Sequence, residues 1–301
     1  MRWFGWGRKA RKQTEADAAP RKKQRTALVG GRRYLADAFY VLPKDEGEIN
    51  RLDFQHYMLR FTLRSNYLAP IGAPTSVLDV GCGTGRWPVE LAREFPQANV
   101  IGLDLEELGS TGTGGLALPA NYSFIIGNVL EGLPFPDANF DFVHQRLLMG
   151  AIPGPRWPGA VAELVRVTRP GGWVELVEAA PASGGGPALA TLNSWMEAGT
   201  MRRGIDVYIC NELPRLADTA GLTDIGVRQF NLPMGRQHGH LGQMAETQYI
   251  SLFEGLKGMI LSMGIVDEGT FNQTLATARE EMSLMPCVSP YTVTFGRRPG
   301  L

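Results

Sequence analysis

The chain has 301 residues, 44% hydrophobic and 20% charged, and its 30 basic side chains balance 30 acidic ones. It is longer than the usual single domain, yet α/β folds run to this length as one unit, and no apolar stretch reaches the roughly 20 residues of a membrane-crossing helix. The cysteines Cys82, Cys210 and Cys287 form neither a CxxC pair nor an even set, which argues against a disulfide framework or a zinc site and points to a reducing, cytoplasmic setting.

Charge is unevenly spread. Arg2, Arg8, Lys9, Arg11, Lys12, Arg21, Lys22, Lys23 and Arg25 face only Glu15 and Asp17 in the first 25 residues, so the remainder is mildly acidic. Residues 1–30 read as a basic, disordered tail that lacks the apolar core of a secretory signal. A second reading gives residues 1–25 a weak membrane-surface contact, with Trp3, Phe4 and Trp6 as interfacial anchors beside the cations. An acidic body argues against a nucleic-acid partner.

Residues 31–69 read as an N-terminal helical element. Tyr40–Glu48 runs into Ile49–Arg60, and Leu52, Tyr57, Leu59 and Leu63 are among its apolar positions at helical spacing. Residues 70–180 then carry the most specific pattern. Residues 77–87 read VLDVGCGTGRW, an apolar run that closes on Asp79 and enters a turn with Gly81, Gly83 and Gly85 at alternate positions around Cys82. Glycine reaches φ > 0 and has no Cβ, so such a turn lets bare backbone approach a ligand. A dinucleotide site has the spacing GxGxxG with phosphate at the following helix N-terminus. Here the spacing is GxGxG, and Asp79 suits an ammonium group while repelling a pyrophosphate. Val100–Asp104 is a second apolar run ending in a carboxylate, about twenty residues further on, where doubly wound folds place the acid for ribose hydroxyls.

Tyr122–Gly127 leads to Asn128 and Val129, and Asn139–Gln145 and Trp173–Leu176 supply two further strands, the last entered through Arg169-Pro170-Gly171-Gly172. Residues 181–301 complete the sheet and cover the substrate. Ser183–Gly204 is a Gly-rich turn followed by a helix, Asn211–Ala220 a helix closed by Gly221, Asp224–Pro233 a strand and Tyr291–Phe295 the last strand. The intervening segment is too long for a structureless loop, and its helical patterns at Met244–Met263 and Thr270–Leu284 predict an insertion over the open end of the sheet. His238 and His240, separated by one glycine, read as a surface loop.

The run from Val77 to Trp87 resembles motif I of the class I S-adenosylmethionine (SAM) methyltransferases, and the later runs resemble that fold's other strands in order. Tyr40–Arg60, with its Arg51-Leu52-Asp53 and Gln55-His56, and His144-Gln145-Arg146-Leu147-Leu148 with Ala151-Ile152-Pro153 are similar to the LaeA-like methyltransferases of secondary metabolism. The resemblance covers about residues 35–180 and implies an α/β, doubly wound, Rossmann-like seven-stranded sheet, with the insertion between its last two strands and the helical element before it. It implies SAM as cofactor, with Asp79, Gly81, Gly83 and Gly85 at the amino-acid end, Asp104 at the ribose, and Cys82 and Leu105 as further contacts. Asn128 and Val129 are placed at the adenine, with Asn128 where the family usually has Asp. Tyr40, Arg51, His56 and Gln145 are further cofactor contacts, and a cation from Tyr40–Arg60 is expected at the methionine carboxylate.

Methyl transfer from a sulfonium is an in-line displacement in which alignment supplies much of the rate. A general base is needed only where the acceptor must lose a proton. His144 is the candidate by location, with Glu178 and the pair His238 and His240 behind it. Two functions fit. One is a methyltransferase for a small, apolar metabolite; the other is a SAM-binding regulatory or partner-binding protein with little turnover. Neither reading requires a metal, and neither sets the oligomeric state.

Overall fold

The computed structural model describes residues 25–29, 31–35, 39–106 and 118–300. The anchors Trp3, Phe4 and Trp6, and with them the membrane-surface reading, lie outside the described residues. Among those described, no helix is long and apolar enough to cross a membrane.

The chain enters through an antiparallel hairpin, β1 (Thr26–Val29) and β2 (Arg32–Leu35), followed by helix α1 (Glu46–Leu63). The reading of 31–69 as helical missed this hairpin, although two glycines between two short runs are a hairpin signal. Asp45 caps α1 by accepting the Glu48 N–H, and Arg64 ends it in the left-handed region at φ 54°. The buried residues of α1 are Glu48, Arg51, His56, Met58 and Leu59. Tyr57, placed among the apolar positions, points outward instead, because the inward stripe at helical spacing carries charge.

Strand β3 (Ser76–Val80) is buried at every position, as a parallel strand covered on both faces must be. The glycine turn leads into α2 (Arg86–Glu94), which buries Trp87, Leu91 and Ala92. β4 (Asn99–Asp104) and β5 (Tyr122–Ile126) continue the sheet on one side of β3. On its other side come β6 (Phe140–Arg146), the helix α3 (Trp157–Val167) and β7 (Thr168–Ala179), all with parallel pairing of the strands. The strand order therefore reverses beside β3, and ligands of open α/β sheets sit at the carboxyl ends of the strands at such a switch point.

After the two-residue β8 (Ser183–Gly184), helices α4 (Gly186–Met201) and α5 (Leu213–Thr219) precede β9 (Thr223–Pro233). Helices α6 (Gly239–Ser262) and α7 (Glu268–Leu284) form the insertion before β10 (Cys287–Arg297). β10 runs antiparallel to both β7 and β9, giving the order β5-β4-β3-β6-β7-β10 with β9 beyond, and β8 adds a short eighth strand to the expected seven. The last strand is thus longer than Tyr291–Phe295.

Three cores hold the layers together. One lies around Trp87 and Phe142, a second under α3 and α5, and the third joins α1 to the insertion through Met58, Leu59, Phe253, Phe271 and Met282. This last core matters for function, since it fixes the N-terminal element and the insertion to each other across the open end of the sheet. Tyr34 of β2 donates to the Gly255 carbonyl of α6 at 2.9 Å.

Candidate cofactor and acceptor site

The glycine turn is built by its own hydrogen bonds. Gly81 and Cys82 N–H groups donate to the Leu103 carbonyl at 2.7 and 3.0 Å, and Gly85 donates to Cys82 at 3.0 Å. Gly83 donates to Asp104 Oδ2 at 2.8 Å. These donors are engaged within the protein, so the turn offers a shaped surface rather than an anion nest, which fits the reading against pyrophosphate. Gly81 has φ 72°, and a Cβ there would sit 2.5 Å from the Leu148 side chain. At Gly83, φ 56°, a Cβ would meet only Leu52 at 3.5 Å, which leaves its other side open to the cavity.

One continuous cavity lies above the turn. Of the sequence-predicted residues its walls contain Tyr40, Arg51, His56, Asp79, Gly81, Cys82, Gly83, Asp104, Leu105, Asn128 and Val129, and they exclude Gly85, His144 and Gln145. Gly85 caps α2 in the left-handed region. Gln145 is buried with neither amide atom hydrogen-bonded. Asn128 is the N-cap of a short turn, its Oδ1 accepting the Leu130 N–H at 3.0 Å. Burial pushes the Cys82 thiol well above its ordinary pKa, which removes it as a nucleophile.

His144 does not stand where a general base would. Its ring stacks on Trp87 at 3.8 Å between centroids and 5° between planes, and its Nδ1 lies 2.8 Å from Asp79 Oδ1. Burial lowers its pKa against the pull of Asp79, so a neutral imidazole donates from Nδ1 to the carboxylate. His144 orients Asp79, and strand register explains it, since the two are direct partners in the β3–β6 pair. His238 and His240 lie exposed at the start of α6.

The N-terminal element reaches into the cavity, but its cations arrive with partners. Arg51 donates to both Glu48 oxygens, at 2.8 and 2.5 Å, and Tyr40 donates to Glu48 at 3.0 Å. With its carboxamide turned to satisfy its neighbours, Gln248 of α6 accepts from Arg51 at 2.6 Å and from Gln55 at 2.9 Å. Arg60, half exposed, pairs with Glu90 at 3.0 Å outside the cavity walls. Lys44, which the sequence reading did not single out, is 4% exposed and lies 3.3 Å from Asp104 Oδ1. Arg146, at the carboxyl end of β6, also lines the cavity and was likewise missed. The usable signal for it was a cation two residues after His144, on the same strand face, at the end of the sheet where ligands bind.

The far side of the cavity is built in part by the insertion. Tyr249, Leu252 and Leu256 of α6 and Met196 and Thr200 of α4 line it with Met149, Ala179 and Tyr291. Phe253 and Met259 of the same helix pack in the core, and α7 contributes nothing to the lining. Tyr249 is tied down at both ends of its hydroxyl, accepting the Ala182 N–H and donating to Asn193 Oδ1, each at 2.8 Å.

Glu178, at the end of β7, lines this wall and holds the loop after β6 by accepting the Leu148 N–H at 2.7 Å and the Met149 N–H at 3.2 Å. Burial nevertheless pushes its carboxyl up to about 8 from an ordinary 4.5. The native state therefore holds a proton that the unfolded chain releases, and this contribution to stability is lost as pH rises from the unfolded pKa through the folded one. Glu178→Gln should show a melting temperature that gains on the wild type between about pH 6 and about pH 8, with a slope of at most ~1.4 kcal/mol per pH unit. Parallel melting curves across that range would show that Glu178 is ionised in the native state.

A strand-order switch point, a GxGxG turn and an acid at the end of the next strand are features of the class I SAM-dependent methyltransferase fold. Residues 77–172 match the family described as "Methyltransferase domain", and the enzyme uses SAM as cofactor. Among relatives, methyltransferase str2 of Strobilurus tenacellus is 27% identical over 81% of this chain and 90% of its own. The secondary metabolism regulator laeA of Aspergillus fumigatus is 32% identical over 46% of this chain and 36% of its own. In fold, the chain is similar to Haemonchus contortus phosphoethanolamine N-methyltransferase 2, solved with phosphomonomethylethanolamine and S-adenosylhomocysteine. The TM-score is 0.53 at 15% identity, covering 89% of this chain and 62% of that one.

Proposed function

We propose that the protein methylates a small, largely apolar metabolite held between the insertion and the carboxyl ends of β6 and β7. The observation that supports this reading is the continuity of one cavity from the glycine turn to the apolar wall of α4 and α6. A site that only held SAM for a partner protein would not need this apolar second half. Pockets of this kind, apolar with a few convergent polar groups, suit drug-sized ligands.

In this reading Asp79 accepts from the cofactor ammonium, Asp104 accepts from the ribose hydroxyls, and Asn128 with Val129 borders the adenine. The cofactor supplies an electrophilic methyl group on a sulfonium. The chain's own contribution is to fix the acceptor in line with that methyl. Glu178 is the acid of the acceptor wall, and with its carboxyl pushed up to about 8 it takes a proton only in the fraction that is ionised, while His144 stays behind Asp79. The test is incubation with SAM labelled in the methyl group and an organic extract of the producing organism. Label in a small, extractable product is the expected result; label found only in protein, or no transferred label, would favour the regulatory alternative.

A further inference from the structure

We infer that Arg146 binds the carboxylate of the cofactor's amino-acid end, opposite Asp79, so that the two residues together recognise an α-amino-acid zwitterion. This deepens the cofactor reading above and rests on it.

The charges of the cavity wall lead to Arg146 by their partners. Lys44 is 3.3 Å from Asp104, Arg51 is bound by Glu48, and Arg86 lies 2.8 Å from Asp53. Among the described residues no carboxylate lies within ion-pair distance of Arg146. Its Nη2 instead lies 3.2 Å from His56 Nδ1. A guanidinium has donors only, so His56 must accept there and carry its proton on Nε2, which faces Glu90 Oε2 at 3.3 Å without completing a hydrogen bond. Burial lowers the pKa of His56 despite Glu90. The neutral imidazole therefore aims Arg146 without cancelling its charge. A guanidinium left this way in a water-poor wall attracts an anion strongly.

Asp79 is its counterpart. It is buried, it pairs with the neutral His144, and among the described residues no ion pair joins it to Arg146. The two sit on neighbouring strand ends, because Val80 pairs with Gln145 in the β3–β6 register and Arg146 follows directly. The cavity thus keeps one positive and one negative group close together but not joined, at the glycine turn. A free amino acid end carries the complementary pair. A carboxylate on the methyl acceptor has the same chemistry, but the nearness to Asp79 and the turn favours the cofactor as its source.

Titration calorimetry on the full chain, with three ligands, separates these cases. S-adenosylhomocysteine carries both charges, its decarboxylated form S-adenosyl-3-thiopropylamine keeps only the ammonium, and 5′-methylthioadenosine keeps neither. In Arg146→Gln the affinity for S-adenosylhomocysteine should fall by roughly 10- to 100-fold, with less than about a twofold change for the other two. Asp79→Asn should weaken the first two and spare the third. Arg146→Lys, which keeps charge but not the planar fork, should recover part of the loss, and it carries the test should the glutamine variant not fold. Wild-type affinity for S-adenosylhomocysteine in Arg146→Gln would overturn the assignment and leave the acceptor as the source of any carboxylate. Equal loss of all three ligands would make Arg146 a scaffold residue. Failure of the wild type to bind even 5′-methylthioadenosine would instead remove the cofactor reading, and this inference with it.

Discussion

Replacing Asp104 by alanine should lower the affinity for S-adenosylhomocysteine by on the order of 100-fold or more and also destabilise the empty protein. Two effects combine. Hydrogen bonds from ribose hydroxyls to a carboxylate are worth roughly 1.5 to 3 kcal/mol each. The same carboxylate also organises the site before any ligand arrives, because it accepts from Gly83 at 2.8 Å, from Leu105 at 2.7 Å and from Lys44 at 3.3 Å. Lys44 is almost fully buried, and removing one partner of a buried pair costs about 3–5 kcal/mol. Stability and affinity can be separated with a second change. Lys44→Met in the Asp104→Ala background should restore much of the melting temperature without restoring affinity. Calorimetry that finds wild-type affinity in folded Asp104→Ala would take the ribose assignment away from this residue.

The second large effect concerns the N-terminal element. A chain lacking residues 1–24 should bind S-adenosylhomocysteine as the full chain does, whereas a chain lacking residues 1–63 should lose binding and melt at a markedly lower temperature. The cavity-lining residues begin at Tyr40, and α1 presents Arg51, Leu52, Gln55 and His56 to the cavity while burying Met58 and Leu59 against the insertion. Each such apolar side chain contributes roughly 1.5–3 kcal/mol when fully buried. His56 is also the group that aims Arg146. Equal affinity in the two truncated chains would reduce α1 to a scaffold.

Asp104 lies within a local motif, and its place could be read from the chain. A strand, a glycine turn and a helix are contiguous, and their signals are short-range: apolar residues to fill a doubly covered strand, glycine for positive φ at Gly81 and Gly83, and a second strand of similar pattern ending in Asp104. For the same reason the helices of the insertion were legible, since the periodicity of Met244–Met263 and Thr270–Leu284 belongs to each helix alone. The hairpin before α1 was legible too, in its paired glycines, and was passed over in favour of a tail and a helix.

What the sequence by itself determined, then, was the order of strands and helices, the turn at Gly81–Gly85 and the carboxylates Asp79 and Asp104, because each follows from steric or hydrophobic rules acting over a few residues. Tertiary structure alone decided which charges are already paired. Arg51 suits a carboxylate in the sequence, but Glu48, one helical turn away, takes both its donors. His144 has the position of a base, but the β3–β6 register sets it against Asp79 and Trp87 closes over it. Lys44 meets Asp104 across 60 residues, and His56 meets Arg146 across 90. Coulombic and hydrogen-bonded pairing depends on distances of a few ångströms between side chains far apart in the chain. Only the packing of α1 and the insertion onto the strand ends sets those distances.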